Sequence, residues 1–295
     1  MKKKVLFKGA CTALITPFDK AGNINYFKLK ELIEFQIANG INALLILGTT
    51  GESSTITNDE RIKLIKFCKY EISGRIPLIV GCGSNSTQTV INYLKQAEML
   101  GADGALVVTP YYNKCSQQGL ILHYSELAKQ TMLPIIVYNV PSRTGVNILP
   151  ETAIKLSKIK NIVGIKEASG NMQQIEKLCH ILPKGFAVYS GDDNLTLAMI
   201  LLGAVGVVSV TSNVEPEKVS LLCSYALQND FINAKRMHDI LFDLSEALFL
   251  DVNPICIKAY MNLIGFDVGN TRLPLCLPSA KIEKTLKKVA EKYEN

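Results

Sequence analysis

The chain has 295 residues, 48% of them hydrophobic and 20% charged, so it can bury a large core and is not a disordered or low-complexity protein. The net charge is +6, but the basic residues do not form a continuous stripe. Lys2, Lys3 and Lys4 supply half of this charge, and the lysines near the C-terminus alternate with glutamates. This distribution argues against nucleic-acid binding.

Short apolar runs rich in β-branched residues alternate along the chain with longer amphipathic stretches. The apolar runs predict eight strands, at residues 10–18, 42–48, 77–83, 104–110, 134–141, 161–169, 186–191 and 205–210. Between the early strands, helical periodicity is found at residues 27–40, 58–72, 87–101 and 118–131. Strands that are apolar throughout favour a parallel sheet covered on both faces, and eight β-then-α units in about 210 residues predict closure into an α/β fold, the (β/α)8 TIM barrel.

Two apolar segments resemble membrane or export signals and are better explained otherwise. Residues 194–214 carry no charge, but Gly203 and Gly206 divide them into a helix-like and a strand-like part. The apolar run at the N-terminus is interrupted by Lys8, which argues against a secretory signal. We therefore expect no membrane association.

The periodicity changes after the eighth predicted strand. Only helical patterns remain from residue 215 to the end, and no linker of disordered composition separates them from the strands. We therefore predict that residues 1–214 form the barrel and that residues 215–295 form C-terminal helices that complete and flank it.

The cysteines and histidines do not indicate a metal site. Eight cysteines are scattered without a Cys-x-x-Cys pair, and the three histidines lack the spacing of metal ligands. A chain with a core of this size does not need disulfides, and scattered thiols behave as small buried hydrophobes. We expect no structural metal and a location in the reducing cytoplasm.

Catalytic residues of a (β/α)8 barrel come from the C-terminal ends of its strands, where the side chains converge on one opening. Lys166 lies near the end of the sixth predicted strand. An isolated lysine in an apolar strand is commonly an edge residue whose head reaches solvent. At this end of a barrel strand it points instead into the opening, where a free amine can attack a carbonyl and form a Schiff base.

The segment GTTGES, residues 48–53, follows the second predicted strand and allows two interpretations. A glycine turn leading into the next helix explains Gly48 and Gly51 by geometry alone. Alternatively, the hydroxyls and backbone N–H groups of Thr49 and Thr50 hold a carboxylate. The motif alone leaves both interpretations open.

Two further segments follow the fifth and fourth predicted strands. In YNVPSRTG, residues 138–145, Tyr138 is either a core residue or a proton shuttle. Arg143 is either an ordinary surface charge or a guanidinium group that binds a carboxylate through two N–H groups. In TPYYN, residues 109–113, the two tyrosines equally suit an interface. Together with Lys166, these segments describe an aldolase-like opening.

The ordered motifs GTTGES, TPYYN, YNVPSRTG, GIKEASG and SGDD, with RLPL at residues 272–275, resemble those of the dihydrodipicolinate (4-hydroxy-tetrahydrodipicolinate) synthase family over nearly the whole chain. The resemblance implies that Lys166 forms a Schiff base with pyruvate, which then condenses with L-aspartate 4-semialdehyde in the diaminopimelate route to L-lysine. It also implies that no cofactor is needed besides this lysine.

The resemblance assigns roles to the other candidate residues. It implies that Thr50 and the backbone around Val208 bind pyruvate and that Gly191 lines the pocket. It implies that Tyr138 donates and accepts protons within a relay completed by Thr49 and Tyr112, and that Arg143 holds the carboxylate of the semialdehyde. In the family, the residue at Tyr112 reaches across a dimer interface, so we expect a homotetramer built as a dimer of dimers.

The same resemblance predicts weak or absent inhibition by L-lysine. Residues Ser53, Asn85 and Tyr111 match the family's effector cleft. Lysine-inhibited members carry histidines and a glutamate where this chain has Asn58, Arg61 and Thr89. A threonine cannot replace the carboxylate that would pair with the ammonium group of an effector.

Two alternatives remain. Another pyruvate-dependent lyase of the same superfamily, such as N-acetylneuraminate lyase or a 2-keto-3-deoxy sugar acid aldolase, would share the fold and Lys166. We favour the synthase because Arg143 and the double threonine suit a short carboxylated aldehyde better than a polyhydroxyl chain. A non-catalytic barrel that acts as a scaffold is the alternative of a different class.

Overall fold

The computed structural model describes residues 5–294 and contains a closed barrel of eight parallel strands. The predicted fold class is therefore confirmed, and each of the eight predicted strands is present. Lys2, Lys3 and Lys4, which supply half of the net charge, lie outside the described residues. The strands are β1 (Gly9–Ala13), β2 (Ala43–Ile46), β3 (Leu78–Gly81), β4 (Gly104–Val108), β5 (Ile135–Asn139), β6 (Ile162–Glu167), β7 (Ala187–Ser190) and β8 (Gly206–Ser209).

Helices surround the barrel and extend beyond it. Within residues 5–294 they are α1 (Tyr26–Ala38), α2 (Asn58–Ile72), α3 (Thr87–Met99), α4 (Gln117–Lys129), α5 (Pro141–Thr144), α6 (Pro150–Ser157), α7 (Met172–Ile181), α8 (Thr196–Leu201), α9 (Pro216–Leu227), α10 (Phe231–Leu248), α11 (Ile255–Leu263) and α12 (Ala280–Glu294). The four helices named from the sequence correspond to α1 to α4, with ends that differ by at most two residues.

Alternate residues of each strand serve two separate apolar layers. Leu44 and Ile46 of β2 pack outward in the large cluster shared with the helices, whereas Ala43 and Leu45 pack inward with Ile136 of β5. Successive side chains of a strand point to opposite faces, so a strand that is buried on both must be apolar throughout. This is why the strands lack the polar alternation of a half-exposed sheet.

The pairing of β5 with β6 contains an irregularity that decides where Lys166 points. Ile135 pairs with Ile162, but Ile136 pairs with Gly164, so β6 has one extra residue. Regular pairing would put Ile165 opposite Tyr138 and direct Lys166 toward the helices. The bulge instead places Lys166 opposite Tyr138 inside the barrel.

The uncharged segment 194–214 contains a helix followed by a buried strand, as predicted, in α8 and β8. Within the part of the chain that the structure describes, no helix has the length and apolar character needed to cross a membrane. Helix α9 packs on β1 next to the closure of the barrel, and α10, α11 and α12 pack on one another beyond it. The division at residue 214 stays a prediction.

The first strand is shorter than predicted. The sequence indicates a strand over residues 10–18, but β1 ends at Ala13. Beyond it, the backbone N–H of Ile15 donates to the Asn213 side chain at 3.1 Å, and Phe18 forms an isolated bridge with Ile24. The apolar pattern continues because this loop is itself buried.

Candidate active site

Lys166 and Tyr138 are neighbours at the C-terminal ends of β6 and β5. Both side chains are buried, with 6% and 7% of their surface exposed. The Lys166 Nζ lies 4.3 Å from the centroid of the Tyr138 ring. No carboxylate lies within ion-pairing distance of Lys166 in residues 5–294. The amine is therefore held by packing and by the face of the Tyr138 ring.

A cavity of about 520 Å³ opens above this pair. Most of the candidate residues predicted from the sequence line it together: Thr49, Thr50, Ser53, Tyr138, Arg143, Lys166 and Gly191. They come from the ends of four strands and the loops that follow, which is the arrangement expected of a barrel opening. Within the described residues, no group of histidine, cysteine, aspartate or glutamate side chains is arranged to hold a metal ion.

Glycine at position 191 is required by the close approach of Lys166. A Cβ atom at this position would lie 2.9 Å from the Lys166 Cε and 2.7 Å from the Ala168 Cβ. Both distances are shorter than a normal van der Waals contact. The residue after β7 must therefore lack a side chain for Lys166 to keep its position.

A buried ion pair between Glu52 and Lys258 anchors the GTTGES loop. Glu52 adopts a left-handed backbone conformation with φ of 54°. Its Oε1 accepts from the Lys258 Nζ at 2.8 Å, with the two side chains 1% and 2% exposed. Its Oε2 accepts from the backbone N–H of Arg272 at 2.8 Å. Burial lowers the pKa of Lys258, and the Glu52 carboxylate opposes that shift.

Thr50 is held by a contact from the far end of the chain. Its hydroxyl oxygen accepts a hydrogen bond from the Asn253 Nδ2 at 2.9 Å. Thr50 is 2% exposed and Asn253 is 6% exposed, and both line the cavity. Thr49, in contrast, is exposed.

The acidic residues of SGDD lie on the opposite side of the cavity. The Asp193 carboxylate accepts from the backbone N–H groups of Val210 at 2.9 Å and Thr211 at 3.2 Å. Burial raises the pKa of Asp192, and the negative charge of the nearby Asp193 makes a second, smaller contribution in the same direction. Asp193 thus ties the loop after β7 to the loop after β8.

Four predicted residues do not line the cavity. Val208 is buried within β8 beside Cys11 of β1, although the next residue but one, Val210, is part of the lining. Tyr112 is 85% exposed and Tyr111 is 38% exposed. Asn85 is exposed before α3.

Comparison with known proteins identifies the family of this chain. The model of the dihydrodipicolinate synthetase family matches residues 6–293. The chain belongs to this family. It is 46% identical over 289 residues to a 4-hydroxy-tetrahydrodipicolinate synthase of Thermoanaerobacter sp. (strain X514), a match covering 98% of this chain and 97% of that protein.

Solved structures of the dihydrodipicolinate synthetase family have the same fold. The chain superposes on dihydrodipicolinate synthase from Thermotoga maritima with a TM-score of 0.96 and 44% identity, over 98% of this chain and 99% of that one. The corresponding enzyme from Acinetobacter baumannii, solved in complex with pyruvate, gives a TM-score of 0.95 and 40% identity, over 97% and 99% of the two chains.

The residues that depart from the family's effector cleft have other partners here. Arg61 is 4% exposed, donates to the carbonyl of Gly81 at 2.9 Å and lies 4.1 Å over the Tyr93 ring. The Asn58 side chain accepts from Gln96 at 2.9 Å. The backbone N–H of Thr89 donates to the Ser86 hydroxyl at the start of α3. These contacts stabilise α2 and α3.

Sequence reasoning missed Asn253, Lys258 and Glu52 as contributors to the cavity and to the GTTGES loop beside it. Asn253 lies just before α11 and Lys258 lies in its first turn, both more than 200 residues from the loop they support. An apolar helix with one lysine is a weak signal, because most such lysines reach solvent. Only the folded chain shows that Lys258 is buried and which residue it pairs with.

Proposed function

We propose that this chain condenses pyruvate with L-aspartate 4-semialdehyde to give 4-hydroxy-tetrahydrodipicolinate, in the diaminopimelate route to L-lysine. The observation that carries the proposal is the Lys166 amine, buried beside the Tyr138 ring at the base of a cavity of about 520 Å³. The names of its relatives and the pyruvate held by the Acinetobacter baumannii enzyme support the choice of substrates.

The first step joins pyruvate to Lys166. The neutral Nζ attacks the ketone carbon and loses one proton to the carbonyl oxygen. That oxygen takes a second proton from an acid and leaves as water, which gives an iminium. The iminium nitrogen withdraws electrons from the neighbouring methyl group, so one of its protons is lost and an enamine forms. In this proposal the Tyr138 hydroxyl gives and takes these protons, and the contact of the Tyr138 ring with the Lys166 amine supports that role.

The second step forms the carbon-carbon bond. The enamine carbon attacks the aldehyde carbon of the semialdehyde, the aldehyde oxygen takes a proton, and the iminium is restored. Arg143 lines the same cavity and supplies a fork of N–H donors for the substrate carboxylate. The substrate amine then attacks the iminium carbon, closes the ring and releases Lys166 as a free amine.

Two further residues complete the proposed proton relay. Thr49 lines the cavity with an exposed hydroxyl. Tyr112 has a φ of 74°, a conformation that costs a non-glycine residue about 1–2 kcal/mol, and an exposed ring. A strained, exposed tyrosine suits a role in a neighbouring subunit, which supports the proposed homotetramer in which Tyr112 enters the partner's site.

Reduction with borohydride tests the Schiff base. Incubation with pyruvate and borohydride should add a covalent mass to the peptide that contains Lys166 and to no other lysine peptide. Lys166→Ala should abolish both the adduct and semialdehyde consumption, while Lys158→Ala, a surface lysine outside the site, should change neither. A wild-type chain that remains unmodified would rule out the proposed chemistry, and the non-catalytic scaffold would be the remaining alternative.

Comparison of substrates separates the synthase from a related lyase. A synthase should consume pyruvate with L-aspartate 4-semialdehyde and should not cleave N-acetylneuraminate or a 2-keto-3-deoxy sugar acid. Cleavage of either sugar acid at a comparable rate, without turnover of the semialdehyde, would assign the site to the other branch of the superfamily.

Three features of the proposal concern the protein beyond its reaction. Weak or absent inhibition by L-lysine is supported by Thr89, which offers no carboxylate, and by Arg61, which is occupied by Gly81 and Tyr93. The location in the cytoplasm and the lack of any cofactor remain predictions from the sequence.

A further inference from the structure

Asn253 connects the C-terminal helices to the cavity through one polar contact. It lies between α10 and α11, is 6% exposed, and donates from Nδ2 to the Thr50 hydroxyl oxygen at 2.9 Å. Its Oδ1 is also buried and has no hydrogen-bond partner within residues 5–294. A buried polar atom without a partner is unusual, and it requires an explanation when it lines a cavity.

The contact with Asn253 determines whether the Thr50 hydroxyl donates or accepts a hydrogen bond toward the cavity. A threonine hydroxyl has one hydrogen to donate and two lone pairs to accept with. Because an amide N–H can only donate, the Thr50 oxygen must accept from Asn253. Its own hydrogen has no acceptor within the described part of the chain, and Thr50 lines the cavity. That hydrogen is therefore available to a ligand.

We propose that Asn253 is a positioning residue that makes Thr50 a hydrogen-bond donor to the carboxylate of pyruvate. This inference rests on the proposed function. Without the amide, the Thr50 hydroxyl can rotate, and its lone pairs can face the substrate carboxylate instead of its hydrogen. The contact holds pyruvate equally before and during the reaction, so its loss should raise KM and leave kcat nearly unchanged.

Replacement of Asn253 by an apolar residue of similar size tests the inference. Asn253→Leu should raise the KM for pyruvate about tenfold, the value of one hydrogen bond to a charged group. The KM for the semialdehyde and kcat should change less than about twofold. Asn262→Leu, a matched change in α11 that removes hydrogen bonds to Gly269 and Val268, should affect thermal stability and leave the KM for pyruvate unchanged.

A double-mutant cycle separates positioning from general disturbance. In a Thr50→Val background the hydroxyl is gone, so Asn253→Leu should have no further effect on the KM for pyruvate. An equal rise in both backgrounds, or a rise confined to the semialdehyde, would overturn the inference. If Asn253→Leu does not fold, Asn253→Ala provides the same comparison without added volume.

The experiment distinguishes this inference from the proposed function. A wild-type protein that borohydride and pyruvate leave unmodified would refute the function itself. A wild-type protein that is modified and turns over, combined with an Asn253→Leu variant of unchanged KM for pyruvate, would refute only the role of Asn253.

Discussion

The ion pair between Lys258 and Glu52 offers a test of what holds the GTTGES loop in place. The Lys258 Nζ donates to the Glu52 Oε1 at 2.8 Å, to the carbonyl of Thr16 at 3.0 Å and to the carbonyl of Asn270 at 2.9 Å. It also lies 4.1 Å over the ring of Phe18. Lys258→Met keeps most of the volume and removes the charge and all three donors.

The expected loss of stability follows from burial. Glu52 is 1% exposed at its side chain, so without Lys258 its carboxylate keeps only the backbone N–H of Arg272. Removing one partner of a buried pair costs about 3–5 kcal/mol, because the other charge is left uncompensated. For a chain of this size, that lowers the thermal midpoint by about 10 °C.

Thermal and urea unfolding monitored by circular dichroism measure this loss, and pyruvate kinetics measure its effect on Thr49 and Thr50. Glu52→Gln combined with Lys258→Met removes both charges and should recover more than half of the lost stability. If Lys258→Met unfolds within 1 °C of the wild type, or if the double variant is no more stable than the single one, the ion pair does not support the loop.

Four further outcomes are expected. Gly191→Ala should reduce kcat/KM about 100-fold, since the new Cβ would lie 2.9 Å from the Lys166 Cε and push the lysine out of position; unchanged borohydride trapping would contradict this. Burial lowers the pKa of His123 to about 4. As the pH falls, this histidine is therefore protonated in the unfolded chain before it is protonated in the folded one, and the free energy of unfolding should fall by about 3 kcal/mol between pH 6.5 and 4. His123→Gln should remove that slope in urea titrations, and an unaltered slope would assign it to other groups. Tyr112→Phe and disruption of the subunit interface should lower turnover similarly, whereas a fully active monomer in sedimentation experiments would refute the shared site. Turnover should persist at cellular concentrations of L-lysine, and inhibition there would show that Thr89 does not prevent effector binding.

The alternation of strands and helices could be predicted because burial leaves a local pattern. A strand covered on both faces needs apolar residues at every position, as in ALLI of β2, whatever its neighbours are. Strand ends were less certain. Leu14, Ile15 and Phe18 are as buried as β1 itself, so composition could not show that the ladder ends at Ala13.

The chemical candidates were predictable for a related reason. A lysine and a tyrosine near the ends of apolar strands lie at the same end of the barrel once it closes. What the sequence could not show was the extra residue in β6, which turns Lys166 inward to face Tyr138. A bulge changes the pairing between strands and leaves the composition of either strand unaltered.

The sequence by itself therefore determined the class of fold, the order of its elements and the residues at the ends of its strands. Tertiary structure alone decided that Asn253 orients Thr50 and that Lys258 neutralises Glu52, contacts that span 203 and 206 residues. Periodicity records only whether a side chain is buried. The identity of its partner depends on how the C-terminal helices fold back onto the barrel, and no local pattern carries that information.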